Sequence, residues 1–223
     1  MFSLSLDAGN AGPLRLLCLG AHCDDIEIGC GGTVLKLTAA GRKIEARWVV
    51  FSSDAFRKQE GIECASAFLE KVASKKVEIH GFRDGFFPYQ GAEIKERFEK
   101  LKSEISPDLI LTHYRNDLHQ DHRLISELTW NTFRNHLILE YEIPKYDGDL
   151  GSPSFFVPLD EPTCRRKIDT ILGAYQSQLG KQWFTAELFS SLLRLRGMEA
   201  NAPSGYAEGF YCRKALIEME GQK

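Results

Sequence analysis

The sequence predicts a three-layer α/β fold, a mostly parallel sheet covered by helices on both faces. Three observations carry that expectation. Short apolar runs of strand length alternate with segments of helical period, the pattern of repeated strand-helix-strand units. At 223 residues and 43% hydrophobic content the chain suits one domain with a buried core. Two clusters of acidic and imidazole side chains each follow an apolar run, as expected where ligands gather at the carboxyl ends of strands in an open α/β sheet.

In chain order, Arg15 to Gly20 reads as the first strand, within the apolar run Leu14 to Leu19. A Gly-rich segment, Gly29-Cys30-Gly31-Gly32, reads as a tight, closely packed turn, and a helix spans Gly32 to Ala40, where Gly41 stops it. A second strand, Ile44 to Phe51, is followed by a helix over Lys58 to Val72 and a third strand, Val77 to His80. The helix Glu93 to Ile105 ends ahead of Pro107, because proline disfavours helix in the residue before it. Strand Leu109 to Thr112 leads to a helix over His122 to Phe133, whose first turn carries part of the second cluster. Beyond Tyr141 the chain is less regular, since Pro144, Gly148, Gly151, Pro153, Pro158 and Pro162 interrupt any long element. Phe155-Phe156-Val157 is apolar enough for a strand. Helices over Arg165 to Tyr175 and Ala186 to Leu195 follow, and Gly209 to Ile217 reads as a closing strand along the sheet edge. The expectation is therefore a Rossmann-like single domain over residues 1–223, in which 141–223 form covering loops, helices and an edge strand.

Composition excludes several function classes. The net charge of -3, from 28 basic and 31 acidic residues, offers no basic footprint for nucleic acid. Residues 1–19 lack a basic segment before an apolar one and are broken by Asp7, Gly9, Asn10, Gly12 and Pro13, so neither a signal peptide nor a spanning helix is readable. Six cysteines without a C-x-x-C pair suit buried thiols in a reducing compartment, which points to the cytoplasm. Homo-oligomerisation is left open.

The chemistry sits in His22-Cys23-Asp24-Asp25 and His119-Gln120-Asp121-His122, which hold three of the six histidines. A catalytic zinc takes three protein ligands of nitrogen and oxygen type and keeps one position open for water. His22, Asp25 and His122 fit that set. Asp24 is then available as general base, His119 to stabilise an oxyanion or protonate a leaving amine, and Asp121 to fix the His119 tautomer. An isolated Asp or His at a strand end is usually a cap or a solvated turn; two such clusters after two strand-like runs are not. Nucleotide-binding readings fail: Gly20-Ala21-His22 breaks the G-x-G-x-x-G fingerprint at its second glycine, and no phosphate loop is present.

These residues resemble the LmbE-like or PIG-L N-acetylglucosaminyl deacetylases. The family's first motif, A-H-P-D-D followed by an acidic residue and G-x-G-G, is matched by Ala21-His22-Cys23-Asp24-Asp25-Ile26-Glu27-Ile28-Gly29-Cys30-Gly31-Gly32, and its H-x-D-H motif by His119 to His122. Arg57-Lys58-Gln59-Glu60 with Ala65 resembles a further family segment, and Tyr206-Ala207-Glu208-Gly209-Phe210 resembles the family loosely. The resemblance implies a zinc-dependent hydrolase that removes an N-acetyl group from an N-acetylglucosamine-type sugar or its conjugate. It implies Zn2+, or another divalent ion such as Fe2+, on His22, Asp25 and His122, with Asp24 as base, His119 and Asp121 assisting, and Arg57 touching substrate. Cys23 stands where the family usually has proline and reads as a buried thiol. Two other readings remain: an amidase acting on an acylated natural product, and a non-catalytic metal or ligand-binding module. Aromatics after Tyr141, among them Phe155, Phe156, Trp183, Phe184 and Tyr206, are candidates for a sugar platform or for core.

Overall fold

The first strand, β1 (Leu14–His22), is buried at almost every position, so it must be covered on both faces. The computed structural model describes residues 3–6 and 12–216 and shows how. Odd and even residues of a strand point to opposite faces. Leu17 and Leu19 therefore join Val49, Phe51, Phe98, Ile110 and Ile138 on one side, while Leu16 and Cys18 join Trp48, Phe68, Leu111 and Tyr141 on the other.

After β1 come α1 (Asp25–Ala39), β2 (Ile44–Ser52), α2 (Ala55–Phe68), β3 (Ser74–Ile79), a short 3-10 turn at Phe87–Tyr89, α3 (Gly91–Glu104), β4 (Leu109–His113), α4 (Gln120–Thr132) and β5 (Leu137–Tyr141). The second part holds β6 (Phe155–Leu159), α5 (Glu161–Ala174), α6 (Ala186–Glu199) and β7 (Tyr206–Cys212). The sheet order is β3-β2-β1-β4-β5-β7-β6. Strands β1 to β5 are parallel, and β7 is antiparallel to both of its neighbours. The chain grows to one side of β1 through β2 and β3, then crosses to the other through β4 and β5. That reversal leaves a crevice at the carboxyl ends of β1 and β4, which end in His22 and His113.

The three-layer Rossmann-like architecture is as the sequence predicts; four details differ. Helix α1 starts at Asp25, so the Gly29 to Gly32 segment is helix interior and not a turn. Its glycines serve close approach: a Cβ on Gly29 would lie 2.1 Å from Tyr141 Cδ2, and one on Gly31 2.6 Å from Phe68 Cε1. Strand β5 is not among the expected elements, although Leu137-Ile138-Leu139 is an apolar run like Leu109-Ile110-Leu111 in β4. The last strand is Tyr206–Cys212 and lies inside the sheet, leaving β6 at the edge; Ile217 falls outside the described residues. All six cysteines are free and five are buried. Among the described residues no helix is long and apolar enough to cross a membrane.

Candidate metal centre and catalytic site

Strand β1 delivers His22 as its last residue, and the chain then turns sharply. Asp24 does the turning, with φ 98° and ψ -25°, a left-handed conformation that costs a non-glycine residue about 1–3 kcal/mol. Such a conformation persists only where its surroundings enforce it. Here Arg57, in the first turn of α2, donates to the Cys23 carbonyl and to Asp24 Oδ2, the latter at 3.1 Å. The turn places Asp25 at the start of α1, where its Oδ2 accepts the His22 amide at 2.6 Å. Cys23 faces the other way, fully buried near the Ser52 carbonyl, and burial pushes its thiol up to about 12.

The other half of the centre comes from β4 and α4. Asp117 Oδ1 accepts the His119 amide at 2.8 Å, and His119, capping α4, accepts the Asp121 amide on its Nδ1 at 3.3 Å. One helical turn then brings His122 into the crevice. His22 Nδ1 lies 3.2 Å from His122 Nε2 and 3.4 Å from Asp25 Oδ2, and His122 Nε2 lies 3.5 Å from Asp25 Oδ1. All three residues are buried.

What lies behind the two imidazoles fixes their protons. Asp117 Oδ2 sits 2.9 Å from His122 Nδ1. Asp84 Oδ1 and Asp121 Oδ2 sit 3.0 and 3.2 Å from His22 Nε2. A carboxylate only accepts, so each outer nitrogen carries a hydrogen, which leaves the inner nitrogen as the one that would turn its lone pair to a cation. Two imidazole nitrogens and a carboxylate thus converge in a buried space, a ligand set that fits a divalent cation, with outer carboxylates orienting the ligands. Two overlapping groups, His22 with Asp84 and His119, and His113 with Asp117 and His122, lie in the same crevice.

The adjacent carboxyls are driven apart. Burial raises Asp24 to about 7, against the opposing pull of Arg57. Burial would raise Asp25 too, but the imidazoles of His122 and His113 reverse it and hold Asp25 well below the usual carboxylate range. Such divergence between neighbours marks a division between a proton-transferring group and a permanently charged one. His122 is lowered to about 4, first by burial and then by His113.

The structure brings His22, Asp25 and His122 together as the sequence predicts, with Asp24 beside them and the half-buried His119 ring 5.0 Å from His22 and 4.6 Å from His122. Two expectations need correction. The Asp121 carboxylate does not orient His119, because it accepts the amides of Gly85 and Phe87 at 2.7 and 3.1 Å and faces His22; the contact to His119 comes from the Asp121 backbone. Arg57 turns its Nη2 to Cys23 and Asp24 inside the protein, and its buried Nε has no protein partner among the described residues. Sequence reasoning missed His113, Asp117 and Asp84. His113 Nε2 accepts the Ala21 amide at 2.9 Å, lies 3.2 Å from Asp25 Oδ2, and its ring stacks on His122 at 3.9 Å. Its signal was present: β4 ends in histidine, as β1 does.

Residues 17–133, more than half of the chain, match the family model for PIG-L, GlcNAc-PI de-N-acetylase. The chain belongs to this family. Among solved structures it is similar to a conserved protein from Thermus thermophilus (21% identity, TM-score 0.72, covering 94% of this chain and 99% of that one). It is also similar to the N,N'-diacetylchitobiose deacetylase of Pyrococcus horikoshii (20%, 0.64, 89% and 83%) and to GalB, the 4-carboxy-2-hydroxymuconate hydratase of Pseudomonas putida (16%, 0.74, 94% and 100%). At these identities the shared property is the fold.

Proposed function

We propose that this PIG-L family member is a metal-dependent hydrolase that removes the acetyl group from an N-acetyl amino sugar or its conjugate, releasing acetate and a free amine. The observation that carries this reading is the convergence of His22 Nδ1, His122 Nε2 and the Asp25 carboxylate on one buried point, with Asp24 held beside it in a strained turn. Because a hydratase shares the fold, the reaction has to be read from the residues. His22, Asp25 and His122 are the ligands of a divalent ion, zinc or ferrous iron. When bound, that ion supplies Lewis-acid polarisation of an amide carbonyl and makes water more acidic.

The chain's own groups do the rest. Asp24, raised toward neutrality by burial, takes a proton from the attacking water. His119 accepts a backbone amide on Nδ1, so Nε2–H is its donor, placed to meet the oxyanion or the departing nitrogen. Arg57 keeps Asp24 on its turn. His113 and Asp117 hold Asp25 and His122 in place. The buried free thiols suit a reducing, cytoplasmic setting.

The test is metal analysis together with release of acetate and primary amine from a panel of N-acetyl amino sugars. About one divalent ion per chain and turnover on at least one panel member are expected, and His122→Ala should lose the ion. A metal-loaded protein that hydrolyses none of the panel would return the reading to a binding module. Wild-type metal content in His122→Ala would refute the ligand set.

A further inference from the structure

The chain that leaves β5 turns back on itself within a few residues. Pro144 restricts the backbone ahead of Lys145, and Gly148, with φ 65°, takes the left-handed conformation that favours glycine, so Asp149 returns to Lys145. Lys145 Nζ lies 2.5 Å from Asp149 Oδ2 on one side and 2.9 Å from Asp117 Oδ2 on the other. The Lys145 side chain is 13% exposed and the two aspartates 6% and 2%, so little water screens the three charges. A single cation thus ties this turn to the loop between β4 and α4.

That loop carries half of the metal centre. The two carboxylates that meet Lys145 hold successive amides of it: Asp149 Oδ2 accepts from Leu118 at 2.6 Å, and Asp117 Oδ1 from His119 at 2.8 Å. The other Asp117 oxygen does two things at once. Asp117 Oδ2 faces His122 Nδ1 at 2.9 Å and the Lys145 ammonium at 2.9 Å, so the position that satisfies Lys145 also fixes the imidazole. Without the cation, two buried carboxylates would be left with no ammonium between them, and Asp117 would be drawn away from His122 toward water.

We propose that Lys145 is a positioning residue for the metal centre, acting through Asp117 Oδ2 to set the orientation of His122. The inference rests on the ligand set proposed above. Because it acts through Asp117, its effect should disappear when the Asp117 charge is removed, which a lysine that only anchors its own turn would not show.

The experiment titrates the metal-free protein with Co2+, whose visible absorption reports coordination without turnover. Wild type is expected to bind one ion and His122→Ala to lose it. Lys145→Met should weaken binding by about ten-fold, the low end of the roughly 10–100-fold seen when a partner behind a metal ligand is removed, and should change the shape of the absorption band. Lys145→Arg, which keeps the charge, should recover most of that loss. Asp149→Asn keeps an acceptor for the Leu118 amide and leaves Lys145 to Asp117, so it should weaken binding less than Lys145→Met does. Asp117→Asn should weaken binding by itself, and adding Lys145→Met to it should cost nothing further. A second loss of the same size in the Asp117→Asn background would overturn the proposal. So would wild-type affinity in Lys145→Met, or equal losses in Lys145→Met and Asp149→Asn, which would assign the effect to anchoring of the turn. Should Lys145→Met fail to fold, Lys145→Gln replaces it in every comparison. A wild-type protein that binds no Co2+, or a His122→Ala variant that binds it unchanged, would strike the ligand set itself and this inference with it.

Discussion

The two parts of this molecule bury charge in opposite ways. At the carboxyl ends of β1 and β4 the buried groups are of one kind, potential metal ligands: two imidazole nitrogens and a carboxylate lie within about 3.5 Å, with further carboxylates behind the imidazoles. Around β6, β7, α5 and α6 the buried charges are matched donor to acceptor. Glu208 accepts the Gly32 and Thr33 amides, the Thr33 hydroxyl and Lys167 Nζ, all at 2.6–2.7 Å, and Lys167 also donates to the Ile28 carbonyl. Arg196 donates Nε and Nη2 to Glu142 and reaches the Gly151 carbonyl. A buried pair that is complete within the chain is a strut, whereas a buried set that is complete only with a cation is a site.

Removing one member of a strut should have the largest effect on stability. Lys167→Met leaves Glu208 charged and unpaired in the core, which should cost about 3–5 kcal/mol of stability. Denaturant unfolding measures it, and a loss under about 1 kcal/mol would mean that Glu208 had found water or had protonated. The corresponding change at the centre should act on rate instead. Asp24→Asn is expected to keep its metal and stay folded, but to lose at least about 100-fold in kcat, or about 2.7 kcal/mol in the barrier. Near wild-type turnover would remove Asp24 as base. Loss of metal would move it among the ligands.

How much of this was legible depended on where each contact originates. His22, Asp25, His119 and His122 could be read because they sit in two short motifs behind apolar runs, and a chain reversal between β1 and β4 brings strand ends together. The outer carboxylates were opaque. Asp84 comes from the connection after β3, and nothing local to it specifies a contact with His22. Asp121 looked like a partner for its sequence neighbour His119, yet the amides of Gly85 and Phe87, from that same distant connection, take its carboxylate. The position of β7 between β5 and β6 is likewise a long-range pairing. Gly29 to Gly32 misled because glycine is a poor helix former, and a tertiary need, room for Tyr141 and Phe68 against α1, overrode the propensity.

That same packing supplies a paired test. Gly197 sits in α6 where a Cβ would lie 2.2 Å from the Gly205 carbonyl oxygen, while a Cβ on Gly29 would meet the Tyr141 ring. Each alanine substitution should cost about 1–3 kcal/mol through overpacking. Only Gly29→Ala should also weaken metal binding, since the Tyr141 hydroxyl lies 3.4 Å from His113 Nε2 and His113 stands against Asp25. Equal metal affinity in the two variants would separate the packing of α1 from the centre.

The smallest effect expected is at the far end of the same two strands, where the charges are neither strut nor site. Arg15, at the start of β1, donates from Nε and Nη2 to Asp108, just before β4, at 3.1 and 2.6 Å. The pair is solvent-exposed, with side-chain exposures of 46% and 26%, so solvent screening limits it to about 0.2–1 kcal/mol. The Arg15 hydrogen bond holds the Asp108 carboxyl below its ordinary value in the folded protein. A group depressed on folding stabilises at pH above its unfolded pKa of about 3.9 and loses that contribution as pH falls through the folded value. Asp108→Asn should therefore lower Tm slightly at pH 7, with the gap from wild type closing as pH drops below about 4 and narrowing in high salt. A gap that persists at low pH would assign the effect to the neutral bond from the Arg15 amide to Asp108 Oδ2, at 2.9 Å, and not to charge.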